Sequence, residues 1–283
     1  MSAAYTDHLS QPRQLAIQPG ELRAEALRLL AESNAQIKAD STMALKQRWE
    51  AGELSLDRAA VLHSDAAIPG RPLRPALVSP RALERRPMNT VAGRAALIHA
   101  LAHIEFNAIN LALDAIWRFS DMPPEFYADW LKVASEEALH FTLLNTHLGS
   151  LGHGYGDFNA HNSLWEMAEK TRENVLARMA LVPRTLEARG LDATPAVRAK
   201  LAQAGDEGAA AILDIILRDE VGHVAIGNRW YGWLCQQQGA EPLSTYRELA
   251  RHYKAPVLKG PFNLVARRAA GFTEEELIAL NKD

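Results

Sequence analysis

Apolar residues recur at helical spacing in four long stretches from about Val91 onward. The first covers about 91–119 and stops at Ser120-Asp121-Met122-Pro123-Pro124. The second covers about 125–151 and closes on Gly149, Gly152, Gly154 and Gly156. The third opens at Ser163, where Glu166 completes a capping box, and runs to Gly190. The fourth starts with Asp206 as its cap and runs to about Gln238. Between these last two, Thr194-Pro195 reads as the cap and first position of a short extra helix.

Upstream, 21–49 carries helical spacing at Leu22, Ala26, Leu29, Leu30 and Ile37, and 55–63 reads as a further short helix. The Pro- and Arg-rich stretch 64–90 repeats X-Pro steps that force extended backbone, so it reads as a strap along the outside of the main domain. Downstream, 242–283 predicts a short helix, a break at Gly260-Pro261 and a last helix near 273–280. The expected organisation is all-α: an N-terminal helical segment and strap (1–90), a four-helix bundle with a long crossover (91–238) and a C-terminal extension (239–283).

Acidic residues interrupt the apolar stripes. Glu105 lies among Ile98, Leu101, Ala102, Ala108, Ile109 and Ala112. A glutamate there is costly to bury unless it is paired or bound to a metal. Two later stretches share one form, Glu136-Glu137-Ala138-Leu139-His140 and Asp219-Glu220-Val221-Gly222-His223, and no other Glu-x-x-His occurs in the chain. On a helix, residues three apart share a face, so each stretch aims a carboxylate and an imidazole at one point. Both sit among apolar neighbours such as Val133, Leu144, Leu213 and Ile216. Two such pairs, plus one glutamate from each of two further helices, form the donor set of a dimetal-carboxylate bundle.

The third helix offers Glu173 or Glu187. The face of Glu173 carries Glu166, Glu169 and Lys170 and reads as solvated, whereas Glu187 continues a stripe of Leu176, Ala180 and Pro183. Glu187 is therefore the expected fourth carboxylate. Glu105 and Glu137 are then 32 residues apart, Glu187 and Glu220 33, as if one helix-pair unit were repeated. In the first pair both glutamates stand about 20 Å from the connecting turn. Equal depth in the second pair requires an interrupted helix just beyond Glu187, between Pro183 and Gly190 as flanking breakers. The expected metal ligands are thus Glu105, Glu137, His140, Glu187, Glu220 and His223. Glu136 and Asp219 are placed to accept the free imidazole N–H of a ligating histidine, each from the opposite pair. An oxygen-rich set with two imidazoles suits iron or manganese better than structural zinc. His147 and Tyr231 share the faces of His140 and His223 and are candidate pocket residues. His99 and His103 do not share the face of Glu105 and are expected to make polar contacts with a neighbouring helix. The glycine-rich loop 153–161 is expected to shape access to the site.

Composition changes this picture little. Apolar residues make up 48% and aromatics 7%, which suits a helical core. A net charge of −3 argues against a general nucleic-acid or membrane-surface binder. A single cysteine, Cys235, excludes an internal disulfide and fits a reducing compartment. No signal-peptide pattern and no apolar run of spanning length is read, so the expected location is cytoplasmic.

With these residues in place, the chain resembles the ferritin-like dimetal-carboxylate superfamily over about 91–238. That superfamily includes ribonucleotide reductase small subunits, multicomponent monooxygenases, rubrerythrins and a tRNA hydroxylase. More narrowly, the chain is similar to a bacterial ferritin-like family labelled as a domain of unknown function. The stretches that carry this are Ala102-His103-Ile104-Glu105, Glu187-Ala188-Arg189-Gly190-Leu191-Asp192, Arg218-Asp219-Glu220 with His223-Val224, and Pro261-Phe262-Asn263 with Ala266-Arg267. The resemblance implies two iron ions, with manganese or a mixed Mn/Fe pair compatible. It also implies activation of O₂ or a peroxide to hydroxylate or desaturate a small-molecule substrate, with an electron donor as partner; a homodimer is compatible. The alternatives are an iron-handling or peroxide-scavenging protein, an RNA-modifying hydroxylase, and a helical interaction protein whose buried carboxylates pair with arginines. Storage in a cage fits poorly with the long N- and C-terminal segments, and rubrerythrin-like chemistry lacks its cysteine-rich site.

Overall fold

Threonine, proline and aspartate caps set the ends of the three long helices. In the computed structural model, which describes residues 20–84 and 86–280, the first of these, α3 (Val91–Arg118), begins where the Thr90 hydroxyl accepts from the Gly93 N–H at 3.0 Å. The fourth long helix of the bundle region, α8 (Glu207–Gln238), begins where Asp206 accepts from the Ala209 N–H at 3.1 Å and ends at Gly239 in the left-handed region, φ 61°. Between them, α4 (Pro124–Ser150) starts with proline in its first turn. α3 packs along α4, and α4 along α8. No strand occurs among the described residues, which hold only isolated bridges such as Leu77 with Ala160.

The third expected helix is broken, and not where its sequence suggested. It consists of α5 (Ser163–Lys170), α6 (Val175–Leu181), a π-helical turn over Val182–Glu187, and α7 (Ala188–Gln203). Ser163 is not a cap; Asn162 holds that position without a side-chain capping bond. The interruption precedes Glu187 rather than following it. Pro183 lacks the N–H that would continue the ladder. The Thr185 hydroxyl donates instead to the Ala180 carbonyl at 2.7 Å. The proline ring is accommodated by Gly227 of α8, where an added Cβ would stand 2.5 Å from Pro183 Cβ. Gly190 and Pro195 do not break the helix, and the expected extra helix at Thr194-Pro195 is part of α7. Pro195 leaves the Leu191 carbonyl without its helical donor, and Asn263 Nδ2 supplies one at 3.2 Å.

The N-terminal stretch divides into α1 (Leu22–Leu30) and α2 (Ala35–Glu50), with Asn34 capping the second through the Gln36 and Ile37 N–H groups. No helix forms over 55–63. There the buried Arg23 guanidinium takes the carbonyls of Asp57, Arg58 and Ala60 at 2.9–3.1 Å, and that of Trp117 at 2.7 Å. Those acceptors are then lost to any helical ladder.

The strap is held at two points: Gly70 N–H donates to Leu30 O at 2.8 Å, and Val78 N–H to Ala160 O at 2.8 Å. A Cβ on Gly70 would lie 2.1 Å from the Ala31 carbonyl oxygen, so only glycine fits. Lys38, fully buried on α2, donates to Leu30 O, Gly70 O and Asn110 Oδ1 at 3.1, 2.8 and 2.5 Å, tying α1, the strap and α3 together. Lys38→Met leaves three buried acceptors without a donor and is expected to lower stability by about 3 kcal/mol. Denaturant unfolding checks this, and a loss below about 1 kcal/mol contradicts the tie.

One continuous apolar core takes in residues from α1 through α8, including Leu22, Leu45, Phe106, Phe141, Met179 and Leu213. A second cluster, with Leu191, Val224, Ala270 and Phe272, joins α7 and α8 to α10 (Leu264–Ala269) and α11 (Glu274–Leu280). α9 (Pro242–His252) lies between α8 and these. Contrary to the sequence reading, one helix among the described residues has the length and hydropathy to cross a membrane: α3. Of its apolar window 72% is buried in the fold, where it serves as a core helix.

Candidate metal centre

Each of the four helical segments contributes a carboxylate to the interior. Glu105 comes from α3, Glu137 with His140 from α4, Glu187 from the end of the π turn, and Glu220 with His223 from α8. Glu105, Glu137, His140 and Glu220 are all buried and each presents a donor atom within 4.8 Å of the others, so together they could hold a metal ion. His223 adjoins them, its Nδ1 3.0 Å from Glu137 Oε1 and 3.9 Å from Glu220 Oε1. His140 Nδ1 lies 3.3 Å from Glu137 Oε2 and 3.4 Å from Glu105 Oε2. Glu137 therefore stands between the two imidazoles, whose ring centres are 5.8 Å apart.

The outward nitrogens are engaged crosswise. His140 Nε2 lies 3.1 Å from Asp219 Oδ2, and His223 Nε2 lies 2.9 Å from Glu136 Oε2. Each acid preceding a Glu-x-x-His thus serves the histidine of the other helix. Each also meets a partly exposed cation: Arg218 binds Asp219 at 2.8 and 3.0 Å, and Lys132 lies 3.2 Å from Glu136. These two cations went unread in the sequence, although Lys132 is four residues before Glu136 on one helix face. With Nε2 turned outward, each Nδ1 faces the interior carboxylates, to which it donates while protonated and toward which it frees a lone pair only on losing that proton.

The interior atoms lack ordinary partners. Glu105 Oε2, Glu137 Oε1, Glu187 Oε2, Glu220 Oε2 and His223 Nδ1 are buried without a hydrogen bond. None of the four glutamates forms an arginine or lysine ion pair among the described residues; the pairs made by Glu105, Glu137 and Glu220 are with the two histidines. Burial, then Glu137, holds the Glu105 carboxyl well above its usual range; burial, then Glu220 and Glu137, does the same for Glu187. Glu220 is raised by burial and Glu137. Glu137 runs the other way: burial would raise it, but His223 and His140 outweigh that and hold it low. Burial would lower His140, yet Glu105 and Glu137 push it up to about 11. Three carboxylates this close, with the half-buried Glu187 near enough to feel Glu220 and Glu137, need positive charge, from protons or from cations; their oxygens, and Nδ1 once deprotonated, are the donor atoms a hard divalent metal takes.

The other singled-out residues lie elsewhere in the fold. His147 Nε2 is 2.8 Å from Asp206 Oδ1 at the start of α8. The Tyr231 hydroxyl donates to the Pro242 carbonyl at 2.6 Å. His99 and His103 hold the glycine-rich loop rather than a neighbouring helix: His99 Nε2 accepts from Gly156 N–H at 2.9 Å, and His103 Nδ1 pairs with the Tyr155 hydroxyl at 2.8 Å.

Residues 31–278 match the protein family described as "Protein of unknown function (DUF455)". The chain belongs to this family. It is also 52% identical over 219 residues to a Haemophilus influenzae protein described as "Uncharacterized protein", an alignment covering 75% of each chain. No solved structure matches significantly. Within this family member, two stretches far apart in sequence meet. Asp192 of α7 receives Arg267 Nε and Nη2 at 3.0 and 2.6 Å and Asn263 N–H at 2.9 Å, so the C-terminal segment docks two residues past Gly190 in the helix that carries Glu187 at its head.

Proposed function

We propose that this chain is an oxidoreductase with a carboxylate-bridged pair of iron ions, manganese or a mixed pair fitting the same donors. The observation that carries this reading is the crossed arrangement of Glu136 and Asp219 on the histidines, around buried carboxylate oxygens that make no hydrogen bond and meet only the two imidazoles. Glu105, Glu137, Glu187 and Glu220 neutralise cationic charge, and His140 and His223 each offer Nδ1 to one metal position. When bound, ferrous ions supply the electrons that reduce O₂ or a peroxide. The chain's own part is geometry. Glu136 and Asp219 fix the imidazole tautomers, and Glu137 joins the two histidine sides. Burial keeps bulk water from the cluster. Hydroxylation or desaturation of a small organic molecule, with an external electron donor, is the reaction class proposed.

The test is oxygen uptake. Protein loaded anaerobically with Fe(II) and then mixed with O₂ is expected to consume O₂ faster than the same Fe(II) in buffer, whereas a Glu220→Ala variant does not. Uptake equal to free Fe(II) would contradict an oxidative role. A further result is expected from the outer carboxylates. Glu136→Gln and Asp219→Asn should each weaken metal binding by roughly 10- to 100-fold without unfolding the protein. Chelator competition measures this, and unchanged affinity in both variants would rule out their orienting role.

A further inference from the structure

A cavity of about 290 Å³ lies between α9, the segment that follows it, and the C-terminal helices. It is separate from the carboxylate cluster in its lining and rich in arginine: Arg184, Arg247, Arg251 and Arg267 line it, with Glu276 as the acid. Two of these arginines are built into the fold. Arg267 is fully buried, and Asp192 takes its Nε and Nη2, leaving Nη1 buried with no partner. Arg184, on the π turn, gives Nη1 to Asn228 at 2.9 Å and Nη2 to Glu276, and its Nε is buried and unpartnered. Both guanidinium groups lie over the same ring, Phe272, at 4.8 and 5.2 Å from its centre. Stacking and ion pairs thus fix two guanidinium planes before any ligand arrives.

The other two arginines, on α9, form no ion pair among the described residues and are exposed at the cavity's edge. The remaining wall is largely aliphatic, with Leu243, Val257 and Leu258, of which Val257 is 72% exposed. An ordinary arginine cluster of the core has no need of an apolar void beside unpaired cations. Forked donors and aliphatic residues lining one cavity match a small amphiphile with an oxyanion head and an apolar body.

We propose that this cavity binds such an anionic amphiphile, its head on Arg247 and Arg251 and its chain against Val257 and Leu258. The proposal stands whether or not the cluster holds iron. Titration calorimetry of the full chain with decanoate, decyl phosphate and 1-decanol tests it. Saturable one-to-one binding of at least one anion is expected, with the neutral alcohol at least about tenfold weaker, since a hydrogen bond to a charged group is lost. Comparing decanoate with decyl phosphate distinguishes a carboxylate from a phosphate head. Arg247→Ala combined with Arg251→Ala, both exposed and so tolerated by the fold, should weaken anion binding by about tenfold or more. Ala250→Trp, which fills the cavity, should abolish binding. No saturable heat with either anion, equal affinity for decanol, or binding unchanged in these variants would overturn the proposal.

Discussion

Glu137→Ala is expected to lower the affinity for a divalent metal by at least about 100-fold, equivalent to about 3 kcal/mol. Among the described residues Glu137 alone lies within ion-pair distance of both imidazoles, 3.3 Å from His140 Nδ1 and 3.0 Å from His223 Nδ1. Its removal takes a charge and a donor from both sides of the cluster at once, whereas loss of Glu105 affects only the His140 side. A purely structural role predicts a different pattern. If Glu137 served only to pair with the histidines, the variant would lose stability and metal would leave the melting temperature of either protein unchanged. The metal account predicts that Fe(II) or Mn(II) raises the melting temperature of the parent protein, by binding the folded state alone, and that this rise disappears in Glu137→Ala. Equal metal-induced shifts in the two proteins would contradict it.

The second large effect concerns stability. Asp114 of α3 is fully buried and binds two arginines: Arg178 of α6, itself almost fully buried, through Nη1, and Arg118 at 2.6 Å. Arg178 also donates to Thr171 Oγ1 at 3.0 Å and to the Ala168 carbonyl at 2.6 Å, at the end of α5. Asp114→Ala leaves a buried guanidinium without its counter-charge and is expected to destabilise by about 3–5 kcal/mol. Replacing the pair together, Asp114→Leu with Arg178→Met, should recover part of that loss, because the buried charge goes with its partner. Denaturant unfolding of the three proteins checks both statements. A single variant within about 1 kcal/mol of the parent would show that the pair is not what holds α6 against α3.

Much of this arrangement was legible along the chain. Glu105, Glu137 and Glu220 could be read because each interrupts an apolar stripe of unbroken 3.6-residue period, and a charge there has few uses. The crossed service of Glu136 and Asp219 followed from the repeated acid-Glu-x-x-His form. The third helix was read less well, for a physical reason. Proline marks a missing N–H, but whether the ladder opens depends on what replaces the bond. At Pro183 a local hydroxyl, Thr185, and a glycine on the facing helix, Gly227, allow a π turn. At Pro195 an amide from Asn263, 68 positions further on, keeps α7 helical. Gly227 and Asn263 cannot be found by scanning neighbours. The stretch 55–63 failed for the same reason, since its carbonyls are claimed by Arg23 from α1. Local periodicity located the carboxylates; tertiary hydrogen bonds decided where helices stop.

The central claim is that the four interior carboxylates and two histidines hold a metal pair, and metal content tests it most directly. Protein purified from iron-supplemented cells and analysed by mass spectrometry for metals should carry about two ions per chain, as the donor set of such a bundle requires. Glu137→Ala prepared in parallel should carry few or none. No tightly held metal in the parent protein, or equal content in parent and variant, would contradict the account.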